Sequence, residues 1–384
     1  MTTPGTSAAG AVSPSATGWE RVVGQDIAVA ALQRAATRPV HAYLLVGPRG
    51  SGVEDAARCF SAILIAPGDA RVGELVGRGE HPDVVEIDPI GNQVLIADAR
   101  ALVSEVHASP IECERKVVIL SGADRLNETA ANALLKTLEE PPARSTIILL
   151  AERADRLPPT IRSRCQRIDF ASLDEATVRA ALAGLPGLAI PDDRAELIAR
   201  LAGGRMDRAL ALADRLGPVR DAFLDAAESL DGSGAAAERA AVMLADVVAH
   251  SVAELEQRHG QDLERVESEA VAAGYPSRVV AARRRAVSER QKREHRRART
   301  DAWLEGFTAI ESLFRDTLAT SSAPARNLDR TPPTVHPRAA VGALDACRRA
   351  RRGLVEFNAN EVLNLERLLL RLPAISSSAP ARPG

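Results

Sequence analysis

Residues 42–54 read AYLLVGPRGSGVE and decide the fold. The first six, Ala42–Gly47, form a short, nearly all-apolar run, which is typical of a strand buried on both faces of a parallel sheet. The remaining residues are rich in glycine and lead into a helical pattern. A strand, a glycine-rich turn and a helix in this order provide the context of a phosphate-binding loop.

The chemistry of this loop is incomplete. An active loop ends in Lys and then Ser or Thr, because the ammonium reaches the terminal phosphates and the hydroxyl ligates magnesium. Here Val53 and Glu54 hold those positions. Losing the Lys forfeits an attraction of roughly 4 kcal/mol at an effective dielectric near 20, and Glu54 would repel phosphate. Because Gly47, Gly50 and Gly52 could still present free amides, two interpretations stay open: weak nucleotide binding, and a turn without a ligand, which is favoured.

Similar strand patterns recur along the N-terminal half. Three further runs rich in β-branched residues predict strands at Asp83–Asp88, Lys116–Gly122 and Ser145–Ala151. Between the last two, Asn127 can cap a helix whose apolar face is formed by Ala130, Leu134, Leu135 and Leu138. We therefore predict an α/β fold with a parallel sheet.

A second catalytic feature is missing at the end of the third predicted strand. Hydrolytic ATPases of this architecture carry an acidic pair there, which holds magnesium and orients water. This chain has Ser121 and Gly122 instead. The sequence therefore predicts no autonomous ATPase activity.

The strand pattern ends near Phe170. Three short helical patterns end near Gly217, and the residues beyond are helical, with one apolar stripe formed by Trp303, Phe307, Ile310 and Phe314. A second apolar element carries Leu363, Leu365, Leu368, Leu369 and Leu372. The predicted organisation is a disordered tail (1–18), an α/β core (19–170), a helical lid (171–217), a helical domain (218–373) and a second disordered tail (374–384).

Composition excludes several classes of protein. The 384 residues are 46% hydrophobic and 26% charged, which is the balance of a folded globular chain. No run approaches the roughly 20 apolar residues of a membrane span, and the N-terminus has no signal-peptide pattern, so a cytoplasmic protein is predicted. Four cysteines at unpaired spacings indicate neither a disulfide framework nor a zinc site.

Charge is strongly segregated in the C-terminal half. Residues 278–299 contain ten Arg or Lys against two Glu, whereas residues 254–269 are mostly acidic. One interpretation is a nucleic-acid surface. The other is a solvated helix paired with the acidic stretch, and it is favoured because no aromatic residue is interleaved to stack on bases. The lone histidines His41 and His81 are interpreted as structural.

Two further stretches carry a family resemblance. Residues 131–142 (ANALLKTLEEPP) and 157–170 (LPPTIRSRCQRIDF) resemble bacterial clamp-loader subunits of the AAA+ type. Residues 19–26 (WERVVGQD) resemble the box that precedes the phosphate loop in that family, and residues 358–373 resemble the closing helix of its oligomerising collar. The resemblance covers most of residues 19–373 and is weakest from about 218 to 300.

This resemblance implies a subunit that does not hydrolyse ATP. In the family, motor subunits (gamma/tau) keep an intact phosphate loop, whereas delta-prime-type subunits keep an SRC motif beside eroded nucleotide sites. Here the motif is Ser163-Arg164-Cys165, and Arg164 is implied to be an arginine finger acting in trans on a neighbouring subunit. The implied partners are the motor and delta subunits and, through the complex, the sliding clamp and primed DNA, with no membrane.

The resemblance also has departures. Relatives carry a zinc-binding cysteine cluster after the phosphate-loop helix, but residues 66–83 contain no cysteine, so no metal is expected. Asp207 stands where motor subunits place a nucleotide-sensing Arg, so ATP is not expected as a cofactor. Two other functions stay open: a self-sufficient AAA+ ATPase, and a non-replicative scaffold in which Arg164 is an ordinary salt-bridge residue.

Overall fold

The computed structural model describes residues 18–89, 93–185, 190–272, 274, 277–320, 324–357 and 359–375. The two predicted tails lie almost wholly outside these ranges, as does Asn358 of the predicted closing helix. The described chain packs as two compact units. The α/β unit runs to Ala181 and includes Gly204–Asp207, and the helical unit comprises Leu182–Gly203 and the residues from Arg208 onwards. The predicted boundaries of three domains stay a prediction.

A five-stranded parallel sheet forms the centre of the α/β unit. Its strands are β1 (Ala42–Val46), β2 (Val84–Ile87), β3 (Lys116–Leu120), β4 (Ser145–Ala151) and β5 (Gln166–Asp169), in the order β2-β3-β4-β1-β5. Alternate residues of β1 enter opposite cores, since Tyr43 and Leu45 pack on one face and Leu44 on the other. Burial on both faces explains why the strand is apolar throughout.

Helices cover both faces of this sheet. Those of the α/β unit are α1 (Asp26–Thr37), α2 (Val53–Ile65), α3 (Ala70–Gly77), α4 (Ile96–His107), α5 (Glu128–Glu139), α6 (Pro159–Arg162) and α7 (Glu175–Ala183). Helices α1 to α3 supply buried residues to one core, and α4 to α6 supply them to the other. The predicted cap is present, because the Asn127 side chain accepts a hydrogen bond from the Ala130 N–H at 2.8 Å. The predicted α/β fold with a parallel sheet is confirmed.

Strand β5 and helix α3 were not anticipated. Only Ile168 of β5 is buried, so this edge strand lacks the apolar run that marks the other four. Helix α3 lies in the segment considered only for zinc, and the Asp69 side chain caps it by accepting from the Val72 N–H at 3.1 Å.

The helical unit contains seven helices among its described residues. They are α8 (Asp192–Ala202), α9 (Met206–Ala213), α10 (Leu216–Glu228), α11 (Gly234–Ala272), α12 (Ser277–Asp316), α13 (Pro337–Phe357) and α14 (Glu361–Leu369), with the first residues of α9 belonging to the α/β unit. Within the described residues, no helix combines the length and apolar character needed to cross a membrane.

Aromatic rings form the centre of this unit. Phe223 of α10 meets Trp303 edge-on, with ring centroids 6.1 Å apart, and also contacts Phe307. A side chain at Gly306 would overlap the Phe223 ring, so glycine is required there. The four residues of the predicted α12 stripe are buried. In the second apolar element, Leu363 is 64% exposed, and the other four leucines are buried: Leu365, Leu368, Leu369 and Leu372.

A buried polar network ties the Pro-rich segment after α12 to the unit. Arg220 is 3% exposed and donates to the Asp329 carboxylate at 2.7 and 2.8 Å and to the Asn327 side chain at 2.8 Å. Asp316 in turn accepts from the backbone N–H of Asn327 at 2.8 Å. Because a buried charge is costly without partners, these contacts fix the described part of the segment.

Candidate functional site

The glycine-rich loop connects the carboxyl end of β1 to the start of α2. Gly50 and Gly52 have φ of +73° and +90°, values that L side chains rarely adopt. Gly47 donates its N–H to the Ala151 carbonyl at 3.0 Å, and a Cβ there would lie 2.6 Å from that of Phe170. The three predicted glycines therefore lie together, and each is needed for the loop's shape.

A second segment of the α/β unit closes this loop. Met206 donates its N–H to the Gly50 carbonyl at 2.9 Å. The neighbouring Asp207 carboxylate lies against Gly50 so closely that a methyl group on Gly50 would overlap it. Arg205 holds this carboxylate through a hydrogen bond of 2.8 Å. An acidic side chain thus stands over the loop.

The electrostatics around the loop disfavour an anion. Val53 is buried in the core, while Glu54 and Asp55 occupy the first turn of α2 and already complement its dipole. Burial raises the pKa of the Asp55 carboxyl, and the charges of Glu86 and Asp207 raise it further, against the opposing effect of nearby arginines. These residues do not fit a nucleoside triphosphate, because several negative charges would face its phosphates.

The end of β3 is likewise occupied by the chain's own groups. Ser121 donates its N–H to the Ile87 carbonyl at 2.9 Å. Gly122 has φ of +65°, and the Arg125 guanidinium occupies the space that a side chain at position 122 would need. Asp124 accepts from the Glu152 N–H at 3.3 Å. A cation therefore stands at the end of the strand where a magnesium-holding acidic pair would be needed.

Arg164 has a different environment. It follows α6 in a turn in which its guanidinium donates to the Thr160 carbonyl at 2.8 Å and to the Glu139 carboxylate at 2.5 Å. Its side chain is 34% exposed, and that of Glu139 is 50% exposed. Cys165 packs against the core, and burial raises its pKa to about 12. Of the SRC motif, Arg164 alone combines a positive charge with access to solvent.

The sheet separates Arg164 from the glycine-rich loop. Strand β5 runs parallel to β1 with Gln166 opposite Tyr43, and Phe170 donates to the Val46 carbonyl at 2.7 Å. Arg164 therefore precedes β5 at the amino edge of the sheet, whereas the loop follows β1 at the carboxyl edge. The four residues of β5 alone span about 13 Å, and Arg164 lies in the turn before them. Arg164 is too far from this loop to serve it.

Comparison with known proteins concerns this same unit. Residues 24–174 match a family described as DNA polymerase III, delta subunit. Over 173 residues the chain is 36% identical to DNA polymerase III subunit delta' of Pseudomonas aeruginosa, covering 42% of this chain and 51% of that protein. Over 210 residues it is 35% identical to DNA polymerase III subunit tau of Bacillus subtilis, covering 51% of this chain and 37% of that protein.

The matched segment is therefore similar to subunits of DNA polymerase III. The chain spans about half the length of these relatives or less. A solved structure, a DNA polymerase III gamma subunit-related protein from Thermotoga maritima, is 22% identical with a TM-score of 0.41, covering 89% of this chain and 97% of that one.

One group of three candidate metal ligands occurs among the described residues: His81, Asp83 and Cys113, whose ligand atoms lie within 4.8 Å of one another. The Asp83 carboxylate already accepts backbone N–H groups of Ile111, Glu112 and Cys113 at 2.5 to 2.8 Å. His81 Nδ1 accepts from the Asp83 N–H at 3.2 Å, which leaves the proton of a neutral ring on Nε2, facing Cys113 at 3.8 Å.

This arrangement does not suit a metal ion. A metal-bound imidazole normally donates through its other nitrogen, whereas His81 accepts there. Burial also raises the pKa of the Cys113 thiol, with the charge of Asp83 adding to the effect, and so opposes the thiolate that zinc requires. The group instead fixes the loop before β3, which agrees with the structural role predicted for His81.

Sequence reasoning missed two contacts in the α/β unit. Glu139, which pairs with Arg164, lies 25 positions away at the end of α5, and Arg125 lies over Gly122. Nothing in the local pattern signals the first contact, because it depends on how the chain folds back, whereas the second is made within the short turn Ala123–Arg125. Arg208 follows Asp207, the position at which motor subunits place the nucleotide-sensing Arg. Its guanidinium donates two hydrogen bonds of 2.9 Å to the Glu305 carboxylate.

Proposed function

We propose that this chain is a non-hydrolysing, delta-prime-type subunit of a clamp loader that supplies Arg164 to a neighbouring subunit. The observation that carries the proposal is the position of Arg164: a half-exposed guanidinium at the amino edge of the sheet, separated from the chain's own loop by the full length of β5, about 13 Å. At that position it can reach only a nucleotide held by another molecule.

The closed loop supports the first half of the proposal. A self-sufficient ATPase needs a cradle for phosphates and ligands for magnesium. Here Asp207 stands over Gly50, and Arg125 stands at the end of β3. Both features oppose nucleotide binding by this chain, so turnover would belong to the motor subunits of the assembly.

The chemistry of Arg164 suits action in trans. A guanidinium is permanently charged and presents its donors in a planar fork that matches phosphoryl oxygens. Its present partner, Glu139, is half exposed, and a surface ion pair contributes only about 0 to 1 kcal/mol. A developing phosphoryl charge on a neighbouring subunit would therefore replace Glu139 at little cost.

The C-terminal helices offer a surface for assembly. Large apolar side chains are exposed near the end of α13 and on α14, among them Phe357 at 71%, Leu363 at 64% and Leu370 at 53%. Exposed apolar groups clustered on neighbouring elements are typical of protein interfaces. We propose that they contact the motor (gamma/tau) and delta subunits, and that the assembled complex acts on the sliding clamp and primed DNA.

The test is ATP turnover by an assembly reconstituted from this chain and its cognate motor and delta subunits, stimulated by clamp and primed DNA. Arg164→Ala is compared with Arg167→Ala, a matched arginine three positions away that pairs with Asp169 of its own strand. The proposal expects normal assembly with both variants and a loss of turnover with Arg164→Ala only.

Two results would contradict it. Equal turnover with wild type and with Arg164→Ala would mean that the chain acts as a scaffold. In that case the ion pair of Arg164 with Glu139 would be its structural role. Nucleotide hydrolysis by the isolated chain would revive the self-sufficient ATPase.

A further inference from the structure

The C-terminal helical unit contains a long antiparallel hairpin formed by α11 and α12. Its seam is partly apolar, with Val266 of α11 and Val287 of α12 buried. Polar contacts cross between the helices: Gln291 donates to the His259 carbonyl at 2.9 Å, and Arg284 pairs with Glu267 at 3.4 Å. The prediction that the acidic and basic stretches pair is confirmed.

Pairing leaves a large excess of positive charge. Residues 278–299 carry ten Arg or Lys and two Glu, a net charge of +8 with neutral histidine, and residues 254–269 carry six acids and two Arg, a net charge of −4. The distal hairpin therefore carries +4 in a chain whose net charge is −2, leaving −6 for the remainder. This concentration of charge is not needed to hold the two helices together.

Half of these cations lie on one face of α12, here called the basic stripe. At 100° per residue its five members fall within about 100° of arc: Arg278, Arg285, Lys292, Arg293 and Arg296. The buried residues Val287, Gln291 and Ala298 lie on the opposite side of the helix. Arg278, Arg285, Lys292 and Arg296 are exposed and Arg293 is half-buried, so the stripe points away from α11.

One acid, Glu289, lies within the stripe and pairs with Lys292 at 3.0 Å. The hydrogen bond and charge of Lys292 lower the pKa of the Glu289 carboxyl, and Arg293 and Arg285 lower it further. A carboxyl at a fully exposed position is thus held ionised by the field of its neighbours. The field along the stripe is positive although this acid is present.

We infer that the basic stripe of α12 binds the sugar-phosphate backbone of double-stranded nucleic acid. Cations spaced along one exposed helix face release counterions from a phosphate chain without reading its bases. Residues 278–299 contain no aromatic side chain to stack on unpaired bases, which favours a duplex over a single strand. The choice of DNA rests on the proposed function, which it deepens by giving this chain a contact of its own with the primed template.

The first experiment measures binding of the full-length chain alone to a fluorescent 20-base-pair DNA duplex by anisotropy, at several salt concentrations. Four to five phosphate contacts predict a slope of log affinity against log salt of about −4. Binding that does not weaken with salt would overturn the inference.

The decisive variant replaces Arg278, Arg285, Arg293 and Arg296 by Gln and keeps the Lys292–Glu289 pair intact. Its control replaces four exposed arginines of the α/β unit, Arg34, Arg38, Arg100 and Arg179, by Gln. Both variants have a net charge of −6, four less than the −2 of the natural chain. The stripe variant should lose at least about tenfold in affinity and flatten the salt slope, while the control stays within about twofold.

Equal losses in the two variants would show that bulk charge alone is responsible and overturn the inference. A third variant with Lys at the four stripe positions keeps the charge and should bind within about threefold of wild type, because a phosphate chain accepts either cation. Circular dichroism and thermal unfolding establish that each variant is folded; should the Gln variant unfold, the salt slope and the Lys variant still decide.

Competition identifies the partner class. Unlabelled duplex should displace the labelled one at its own affinity, whereas polyglutamate of equal charge should be at least about tenfold weaker. Equal competition by polyglutamate would assign the stripe to an acidic protein and overturn the inference. These assays contain no motor subunit and no ATP. A negative result for duplex binding therefore does not contradict the proposal for Arg164, and a negative result in the turnover assay does not affect the measurement of duplex binding.

Discussion

The polar groups at the two edges of the sheet in the α/β unit differ in how fully the chain itself engages them. At the carboxyl edge, the groups that would hold a nucleotide are engaged by the chain itself: Met206 binds the Gly50 carbonyl, and Arg125 lies over Gly122. At the amino edge, Arg164 pairs with a half-exposed carboxylate and donates to a carbonyl. A loop closed by the chain itself and a loosely held cation are the two features that the proposed action of Arg164 in trans requires.

Arg164→Ala should give the largest effect, a fall of about 10² to 10³ in the turnover of the reconstituted assembly, since arginine fingers contribute at least that much in nucleotide hydrolases. Arg49→Ala removes an exposed arginine from the carboxyl edge, where it pairs with Glu152 at 3.7 Å. That variant should keep turnover within about twofold. A similar loss of turnover in both variants would mean that the two edges of the sheet do not differ in function.

Gly50→Ala should destabilise the α/β unit by about 2 to 4 kcal/mol, because the residue has a positive φ and Asp207 fills the space for a side chain. Gly68→Ala is the control, since Gly68 also has a positive φ but nothing lies within 4 Å of its added methyl group. Chemical denaturation followed by circular dichroism measures both. Adding Asp207→Ala to Gly50→Ala should recover part of the loss; no recovery would mean that Asp207 does not close the loop.

Restoring the missing loop residues should not restore the site. We expect Val53→Lys with Glu54→Thr to leave ATP binding weaker than about 1 mM by calorimetry, because Asp207 and Arg125 still occupy the edge. The double variant should also lose about 1 to 3 kcal/mol of stability, since Val53 is buried in the core. Binding in the micromolar range would show that two substitutions alone disabled the site.

Glu139→Gln should have the smallest effect. Removing one partner of a half-exposed ion pair changes stability by about 0.5 kcal/mol or less. Turnover of the assembly should not fall, because Arg164 must leave Glu139 to reach a phosphate. If Glu139→Gln lowered turnover as much as Arg164→Ala, the ion pair itself would be the functional element and Arg164 would have a structural role.

Much of the fold could be predicted because its signals are local. The central strands are buried on both faces and therefore read as continuous apolar runs, and the Asn127 cap marks the start of a helix. Strand β5 escaped notice because three of its four residues are exposed. Its place in the sheet depends on pairing with β1, which no local pattern encodes.

The candidate site likewise combines features that the sequence shows locally with features that only the structure shows. The missing Lys and the SRC motif are visible in the sequence, because both depend on residue type at fixed spacing. The closure of the loop by Asp207 is not, since it joins residues more than 150 positions apart. The stripe on α12 is intermediate: its charge could be counted, but which cations face outward required the position of α11.

The continuity of α12 has a mechanical consequence. The same helix that carries the basic stripe continues, without an interruption in its described backbone, to Trp303 and Phe307 in the aromatic core. The 24 residues from Ser277 to Thr300 extend about 36 Å. A continuous helix that packs along its length against a second helix resists bending. A force applied at the tip of the hairpin would therefore be transmitted to the aromatic core of the helical unit.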